Sequence, residues 1–421
     1  MLLLFGSFFA FLLMRMPVGF CMLCSSVIYS VVNDESLNMI LSRAVTGSSS
    51  FTLLALGFFI LAGNIMNRGG VTDSIFGFCK KLVGWIPGGL GHANVAASVI
   101  FAGMSGSAVA DAGGLGAIEI KAMKDDGYDE DFAVAVTGAS ACIGPIIPPS
   151  ISAVVFAVAS GVSVGKMFLG GVLPGLAMAL TQMIYIYFVA KKRHYPRTAF
   201  AGFADLGRSF VRSFPALLTP VIILGSILTG FCTPTEASVI AVLYAMALGF
   251  VTRQLKWKDL PHLLDETITL TMSVLFIVSC ANSFGYLITA QQVPIKLAEA
   301  FLGLVANKYV AILLINVFLL LVGMVMESLA ALVILVPILM PVVTSFGIDP
   351  LHFGIICILN ITIGMITPPV GMVLFTLTGV SKLSLERITR AMVPFIIINI
   401  IALLIVSYCP PLVTLLPNWL I

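Results

Sequence analysis

Gly144-Pro145-Ile146-Ile147-Pro148-Pro149 returns later in the chain as Gly364-Met365-Ile366-Thr367-Pro368-Pro369, and Gly103-Met104 returns as Gly323-Met324 at the same offset. Gly347 with Asp349 keeps that offset from Gly127 with Asp129, and so does Met392-Val393-Pro394 from Val172-Leu173-Pro174. The register holds almost without insertion. A long-period duplication that carries paired helix-breakers through apolar sequence is the mark of a transporter built from two repeats, with its binding site where the breakers meet.

The medium follows from composition. The chain is 59% hydrophobic and 10% charged, with mean hydropathy +1.11, against roughly 45–50% apolar and about 25% charged for soluble domains. Apolar stretches at 51–67, 132–160, 167–190, 214–250, 268–290, 309–346 and 354–380 suit spans of about 20 residues, several holding more than one, so we expect roughly ten to twelve helical crossings. These runs lack the alternation of a membrane barrel, and helices satisfy every backbone group within the segment. The fold class is therefore an all-α polytopic membrane protein. Met1 to Met14 has no basic residue before it and no small-residue cleavage site after it, which reads as a retained first helix followed by Arg15.

The strongest positive cluster runs from Lys191 to Arg212, with Asp205 as its single acid, and the positive-inside rule puts it in the cytoplasm. Arg253, Lys256 and Lys258 form the next cluster, and the apolar run between the two, broken at Pro234, fits one out-and-back pair. If residues 1–212 and 213–421 are inverted copies, each crosses an odd number of times. Both termini then lie outside, and Arg15 faces the cytoplasm.

Several function classes fall away. A net charge of +3, with the basic residues at span ends, gives no support to nucleic-acid binding. The eight cysteines are scattered, and Cys21-x-x-Cys24 lacks the βα context of a redox motif. His92, His194, His262 and His352 have no metal or triad spacing and read as interfacial. Gly161-Val162-Ser163-Val164-Gly165-Lys166-Met167 is one residue short of a P-loop and has Met after the Lys, so energy must come from elsewhere than ATP. For an intramembrane hydrolase, Ser105 or Ser140 would be the nucleophile, but neither sits in Gly-x-Ser-x-Gly. The chain is not expected to be an enzyme.

Within each half a proline-broken pair, around Pro17 and Pro234, comes first. Amphipathic stretches follow, Asp34 to Arg43 and Trp257 to Thr267, and read as helices along the interface, either arms of a moving transporter or plain anchors. Residues 102–117 are dominated by Gly, Ala and Ser around Ser105-Gly106-Ser107. Such a segment suits a re-entrant hairpin with a non-helical tip lining an enclosed cavity, or a close helix crossing. Gly144-Pro145 and Pro148-Pro149 decide for the hairpin, because prolines remove donors and push the preceding residues out of helix. The helix that contains them must be interrupted, and Pro368-Pro369 repeats the device. Two half-helices then offer carbonyls to a cation and amides to an anion near mid-membrane.

Between Tyr309 and Phe346 the single charged residue is Glu327. A charge at mid-bilayer costs on the order of 3 kcal/mol, so Glu327 is either functional or a protonated acid bonded to a neighbour. Asp111 is the comparable acid of the first half, or else a helix cap. Ser105, Ser107, Ser140, Ser150, Asn360, Thr362 and Thr367 add neutral oxygens near the tips and breaks, a hard-ligand set that suits Na⁺ and not a transition metal. Glu236 is different: Thr233-Pro234-Thr235-Glu236 is a capping box with proline at the first helical position.

Gly103 to Asp111, Ile118-Glu119-Ile120, Gly144 to Ser150, Thr233 to Ala237 and Gly323 to Pro341 together resemble the large membrane subunit of tripartite ATP-independent periplasmic (TRAP) transporters, over essentially the whole chain. The resemblance implies an elevator-type secondary transporter of the ion-transporter superfamily, in a bacterial inner membrane with periplasmic termini. It implies a first Na⁺ site of Ser105, Gly106, Ser107, Gly144, Pro145 and Pro148. It implies a second of Glu327, Ser328, Asn360, Gly364, Thr367 and Pro368, although an aspartate is expected near Glu327. Asp111, Ser140, Ser150 and Thr362 are left as candidates for the substrate. The partners implied are a separate small four-helix membrane subunit and a soluble periplasmic binding protein that delivers a carboxylate such as a C4-dicarboxylate, a sialic acid or another sugar acid. A stand-alone Na⁺/carboxylate symporter is the alternative.

Overall fold

The computed structural model describes residues 2–14, 16–200, 202–304 and 307–420, so Arg15 lies outside the described residues. Among them the chain is helical, with no strand. The first series is α1 (Leu2–Leu13), α2 (Val18–Val32), α3 (Leu37–Ser48), α4 (Phe51–Arg68), α5 (Val71–Val83), α6 (Gly89–Ser105), α7 (Ala108–Gly113), α8 (Leu115–Asp125), α9 (Glu130–Ala141), α10 (Ile151–Ser160) and α11 (Val164–Arg193). The second is α12 (Phe203–Leu228), α13 (Pro234–Val251), α14 (Leu260–Ala290), α15 (Val293–Leu304), α16 (Lys308–Gly323), α17 (Ser328–Ser345), α18 (Pro350–Gly364), α19 (Met372–Ser381), α20 (Leu385–Tyr408) and α21 (Pro411–Leu420). Seven helices among the described residues are long and apolar enough to cross a bilayer, and six shorter apolar ones accompany them. The division expected at 212/213 falls inside α12; the first series ends in the non-helical stretch after Tyr195.

The sequence echo becomes a helix echo. Helix α17 begins and ends one repeat after the α7–α8 segment, Ser328 answering Ala108 and Ser345 answering Asp125. Helix α18 begins at Pro350, one repeat after Glu130, the first residue of α9. The repeated Gly-x-Asp explains the starts of α9 and α18. Gly127 and Gly347 turn the chain at positive φ, 86° and 64°. Asp129 and Asp349 then stand at the N-caps, and Asp349 accepts from the amides of Leu351 at 2.7 Å and His352 at 3.4 Å.

The two broken helices stop at different places for a physical reason. Met365 donates its amide to Ile361 O at 3.1 Å, so α18 runs to Gly364. The equivalent Pro145 has no amide to give, and α9 ends at Ala141. Both Pro148-Pro149 and Pro368-Pro369 bonds are cis.

Helices α6 to α11 and α16 to α20 interlock reciprocally. Helix α10 packs on α17 as α19 packs on α7 and α8; α9 packs on α20 as α18 packs on α11; and α9 meets α19 as α18 meets α10. At the centre the Cys142 thiol donates to Thr362 O at 3.5 Å, a contact between two positions one repeat apart. Around this block lie α2, α3 and α4 against α14, α13 against α4, and α12 against α5 and α13.

Two local expectations change. The stretch from Leu260 to Thr267 is not a separate interfacial helix but the first turns of α14, which runs 31 residues because no breaker intervenes. In the first half Ser49-Ser50 separates α3 from α4. His92 and His352 are buried inside the protein, the latter with Nε2 2.9 Å from Val406 O.

Candidate functional site

Each half offers a hairpin tip whose second arm begins with a capped turn. Helix α6 ends at Ser105, Gly106 takes the left-handed conformation at φ 59°, and Ser107 caps α7 by accepting from the Ala110 amide at 3.4 Å. A side chain on Gly106 would be strained, and its Cβ would lie 2.8 Å from Pro149 O and 3.1 Å from Ile151 N. The tip thus rests directly on the broken helix. In the second half Glu327 occupies the position equivalent to Ser107 and also caps its helix. Glu327 Oε2 accepts from the Leu329 amide at 2.9 Å and the Ala330 amide at 3.0 Å, and Oε1 accepts from the Ser328 hydroxyl at 3.0 Å. A carboxylate held by helix-terminal amides is stabilised by the partial positive charge there.

The tips and breaks are joined by close backbone approach. Gly364 and Gly323 pack so tightly that a Cβ on Gly323 would meet Ile361 O and Cα at 2.9 Å, while the Gly371 amide donates to Met324 O at 3.2 Å. In the first half, the Ser150 hydroxyl donates to Pro145 O and accepts from the Ala153 amide at 3.0 Å, which clamps both ends of the break. Ser105 donates its hydroxyl to Asp111 Oδ1, and Asp111 Oδ2 is buried without a partner in the structure. A Cβ on Gly144 would come 2.6 Å from that oxygen. So the candidate first-site residues Ser105, Gly106, Ser107, Gly144, Pro145 and Pro148 are gathered at one junction, and Asp111 lies inside it.

The second set is more dispersed. Glu327, Ser328 and Gly364 lie at the tip and its support, but Asn360 points its amide to Asn316 Oδ1 at 2.8 Å, with its own Oδ1 buried and unpartnered. The Thr367 hydroxyl bonds back to Ile363 O at 2.7 Å. Pro368 is exposed whereas Pro148 is buried.

The substrate candidates do not share a surface. Ser140 donates to Asn94 Oδ1 at 2.6 Å in a buried network with Thr137. Thr362 bonds back to Ile358 O at 2.6 Å, a habit of hydroxyls in membrane helices. Ser150 clamps the first break, and Asp111 accepts from Ser105 with its second oxygen unpartnered, as described.

A cavity of about 420 Å³ opens where both tips face α4 and α14. Ser105, Ser107 and Glu327 line it from the tips, and Asn64, Asn67 and Ser273 from the surrounding helices, among apolar walls that include Phe101, Ile151, Leu270 and Met372. A smaller pocket between the tips touches Ser107, Pro145, Glu327 and Ser328. No Lys or Arg lines either space among the described residues. Asn64, Asn67 and Ser273 escaped sequence reasoning, because they sit on helices without breakers or a repeated motif; two asparagines one turn apart in an apolar span were the available signal.

The model of the family described as "Tripartite ATP-independent periplasmic transporter, DctM component" matches residues 5–412. A sialic acid TRAP transporter large permease protein of Vibrio cholerae is 43% identical over 98% of both chains. The chain is 40% identical to a sialic acid TRAP transporter permease protein of Haemophilus influenzae over 96% of its own length and 66% of that protein's. A C4-dicarboxylate TRAP transporter large permease protein of Pseudomonas aeruginosa is 38% identical over 92% of this chain and 91% of its own. In fold, the chain is similar to the crystal structure of the Alcanivorax borkumensis YdaH transporter, at TM-score 0.67 and 14% identity over 91% of this chain and 90% of that one.

Proposed function

The chain belongs to the DctM component family of tripartite ATP-independent periplasmic transporters, and we propose that it imports an organic acid by Na⁺-coupled elevator transport across a bacterial inner membrane. The observation that carries this reading is the cavity at which both hairpin tips meet α4 and α14. Six polar side chains surround it, and among the described residues the only ionic one is the acid Glu327. A carboxylate brought there needs a mobile positive charge, because an unpaired anion in a low-dielectric site is costly. Two Na⁺ ions held by the tip and break residues of the two halves would supply it.

In this reading the block of α6 to α11 with α16 to α20 slides as a carrier. The outer helices stay fixed as scaffold, the halves 1–212 and 213–421 are inverted, and both termini are periplasmic. The cargo is a C4-dicarboxylate, a sialic acid or another sugar acid, handed over by a periplasmic binding protein, and a small four-helix subunit braces the scaffold. The names of the relatives support the carboxylate class.

The test is uptake into proteoliposomes holding this chain and its two partners. Transport should require an inward Na⁺ gradient, and uptake at full rate with choline in place of Na⁺ would refute the coupling.

A further inference from the structure

We infer that Arg43, with Asn282, Tyr286 and Thr289, forms a second station for the cargo carboxylate on the scaffold, met when the carrier block stands at the periplasmic end of its travel. This rests on the elevator reading above and deepens it. A second cavity, of about 540 Å³, lies between α3 and α14 on one side and α10 and α17 on the other. Its two walls differ in kind. The carrier contributes apolar side chains alone, among them Val155, Val158, Val333 and Pro337, whereas every hydrogen-bonding side chain of the lining belongs to the scaffold. Arg43 is the one ionic residue there among the described residues, and its Cζ lies 4.9 Å from the centroid of the Tyr286 ring, which holds the guanidinium beside α14. Asn282 packs against Gly47, where α3 has no side chain to displace it.

One face of α14 joins the two cavities. Leu270, Val274 and Ile277 line the cavity at the hairpin tips, and Ala281, Gly285 and Thr289 continue the same stripe along the second, in steps of three or four residues. From Ser273 to Asn282 the helix rises about 14 Å. Arg253, Lys256 and Lys258 precede α14, so the positive-inside rule puts its first turns at the cytoplasmic surface and its last turns at the periplasmic one. A block that slides along α14 carries Ser107 and Glu327 from the wall of Asn64, Asn67 and Ser273 to the wall of Arg43, Asn282 and Tyr286. The inner wall is neutral and the outer wall is cationic. A planar guanidinium takes a carboxylate through two parallel N–H donors. The outward-facing carrier therefore loads at a lower cargo concentration, and the inward-facing one, opposed by neutral scaffold groups, lets the cargo go.

The test is uptake by proteoliposomes holding the full-length chain and its two partners under an inward Na⁺ gradient, with labelled sialic acid or labelled succinate as the probe, whichever the binding protein carries. Arg43→Gln should raise the concentration of loaded binding protein for half-maximal uptake at least fivefold, while the half-saturating Na⁺ concentration stays within twofold of wild type. Arg43→Lys should recover most of the loss, and Tyr286→Leu, which keeps the charge but removes its support, should raise the same concentration by a smaller factor. Arg43→Gln uptake that matches wild type overturns the inference and leaves elevator transport standing. An equal loss in the affinity of the binding protein for the reconstituted chain also overturns it, because Arg43 would then be a docking residue. So does a difference from wild type that disappears in vesicles of phosphatidylethanolamine and phosphatidylcholine alone, since an anionic lipid headgroup would then be its partner. If wild type takes up neither probe, the carboxylate reading falls and the inference with it.

Discussion

Ser107 and Glu327 hold the same place in two copies of one design and differ by a full charge. Each accepts from the amides that open the second arm of its hairpin, and a capping group of this kind contributes about 1 kcal/mol. Their equivalence was legible in the sequence through the offset alone, but the engagement of Glu327 was not, because an isolated acid in an apolar run reads equally as a ligand or as a cap. Ser140 misled for a related reason: it sits just before Gly144 in sequence, yet its hydroxyl turns to Asn94 on another helix. At this scale, Ser105→Ala should raise the Na⁺ concentration for half-maximal uptake severalfold, since it frees Asp111 Oδ1 and removes a tip oxygen. Glu236→Ala should leave that concentration unchanged and lower the melting temperature slightly, because Glu236 closes the capping box with Thr233. Na⁺ titrations of uptake beside melting curves would check both.

Among elements, the interrupted helices show how one substitution relocates a break. Pro145 against Met365 shortens α9 relative to α18 by withholding one amide. The breaks themselves were legible, since proline pairs leave little choice of conformation. The continuity of α14 was less so, because amphipathic charge in residues 257–267 resembles an interfacial helix until the absence of a breaker is weighed. Gly323 and Gly364 bring two backbones together with no room for a methyl group between them. Gly364→Ala should therefore force α16 away from α18 and cost more than the roughly 1 kcal/mol of a typical substitution. Loss of monodisperse protein, or a melting temperature lower by several degrees, is the expected result; Gly225→Ala, whose Cβ meets nothing within 4 Å, is the matched control.

On the scale of the whole molecule, the reciprocal packing of α6 to α11 with α16 to α20 contrasts with one-sided contacts to the outer helices. Helix α4 packs on α6 and α10, whereas α14 packs on α17. A Cβ on Gly63 of α4 would meet Met104 O at 2.9 Å, so the first tip lies directly on this helix. In the elevator reading that contact must break as the block moves; Pro368 is exposed where its counterpart Pro148 is buried. Asn64 and Asn67 line the cavity from a helix without a breaker or a repeated motif, so their spacing one turn apart was the single trace of it in the sequence. Because the halves meet mainly through packed helices, cutting the chain between Pro196 and Phe200 and co-expressing the pieces should restore a complex that co-purifies and transports. Pieces that do not associate would show that the covalent link is required.

The Cys142–Thr362 contact has a genealogical meaning. Two positions one repeat apart touch, as a residue does with its own copy in an isologous dimer. The present chain is thus organised like a homodimer whose subunits have been fused end to end. In a single chain the two sides are free to differ, and one hairpin has a serine cap with a buried aspartate behind it where the other has a glutamate. A true dimer, obliged to repeat every residue, could not have made its two hairpin tips unlike.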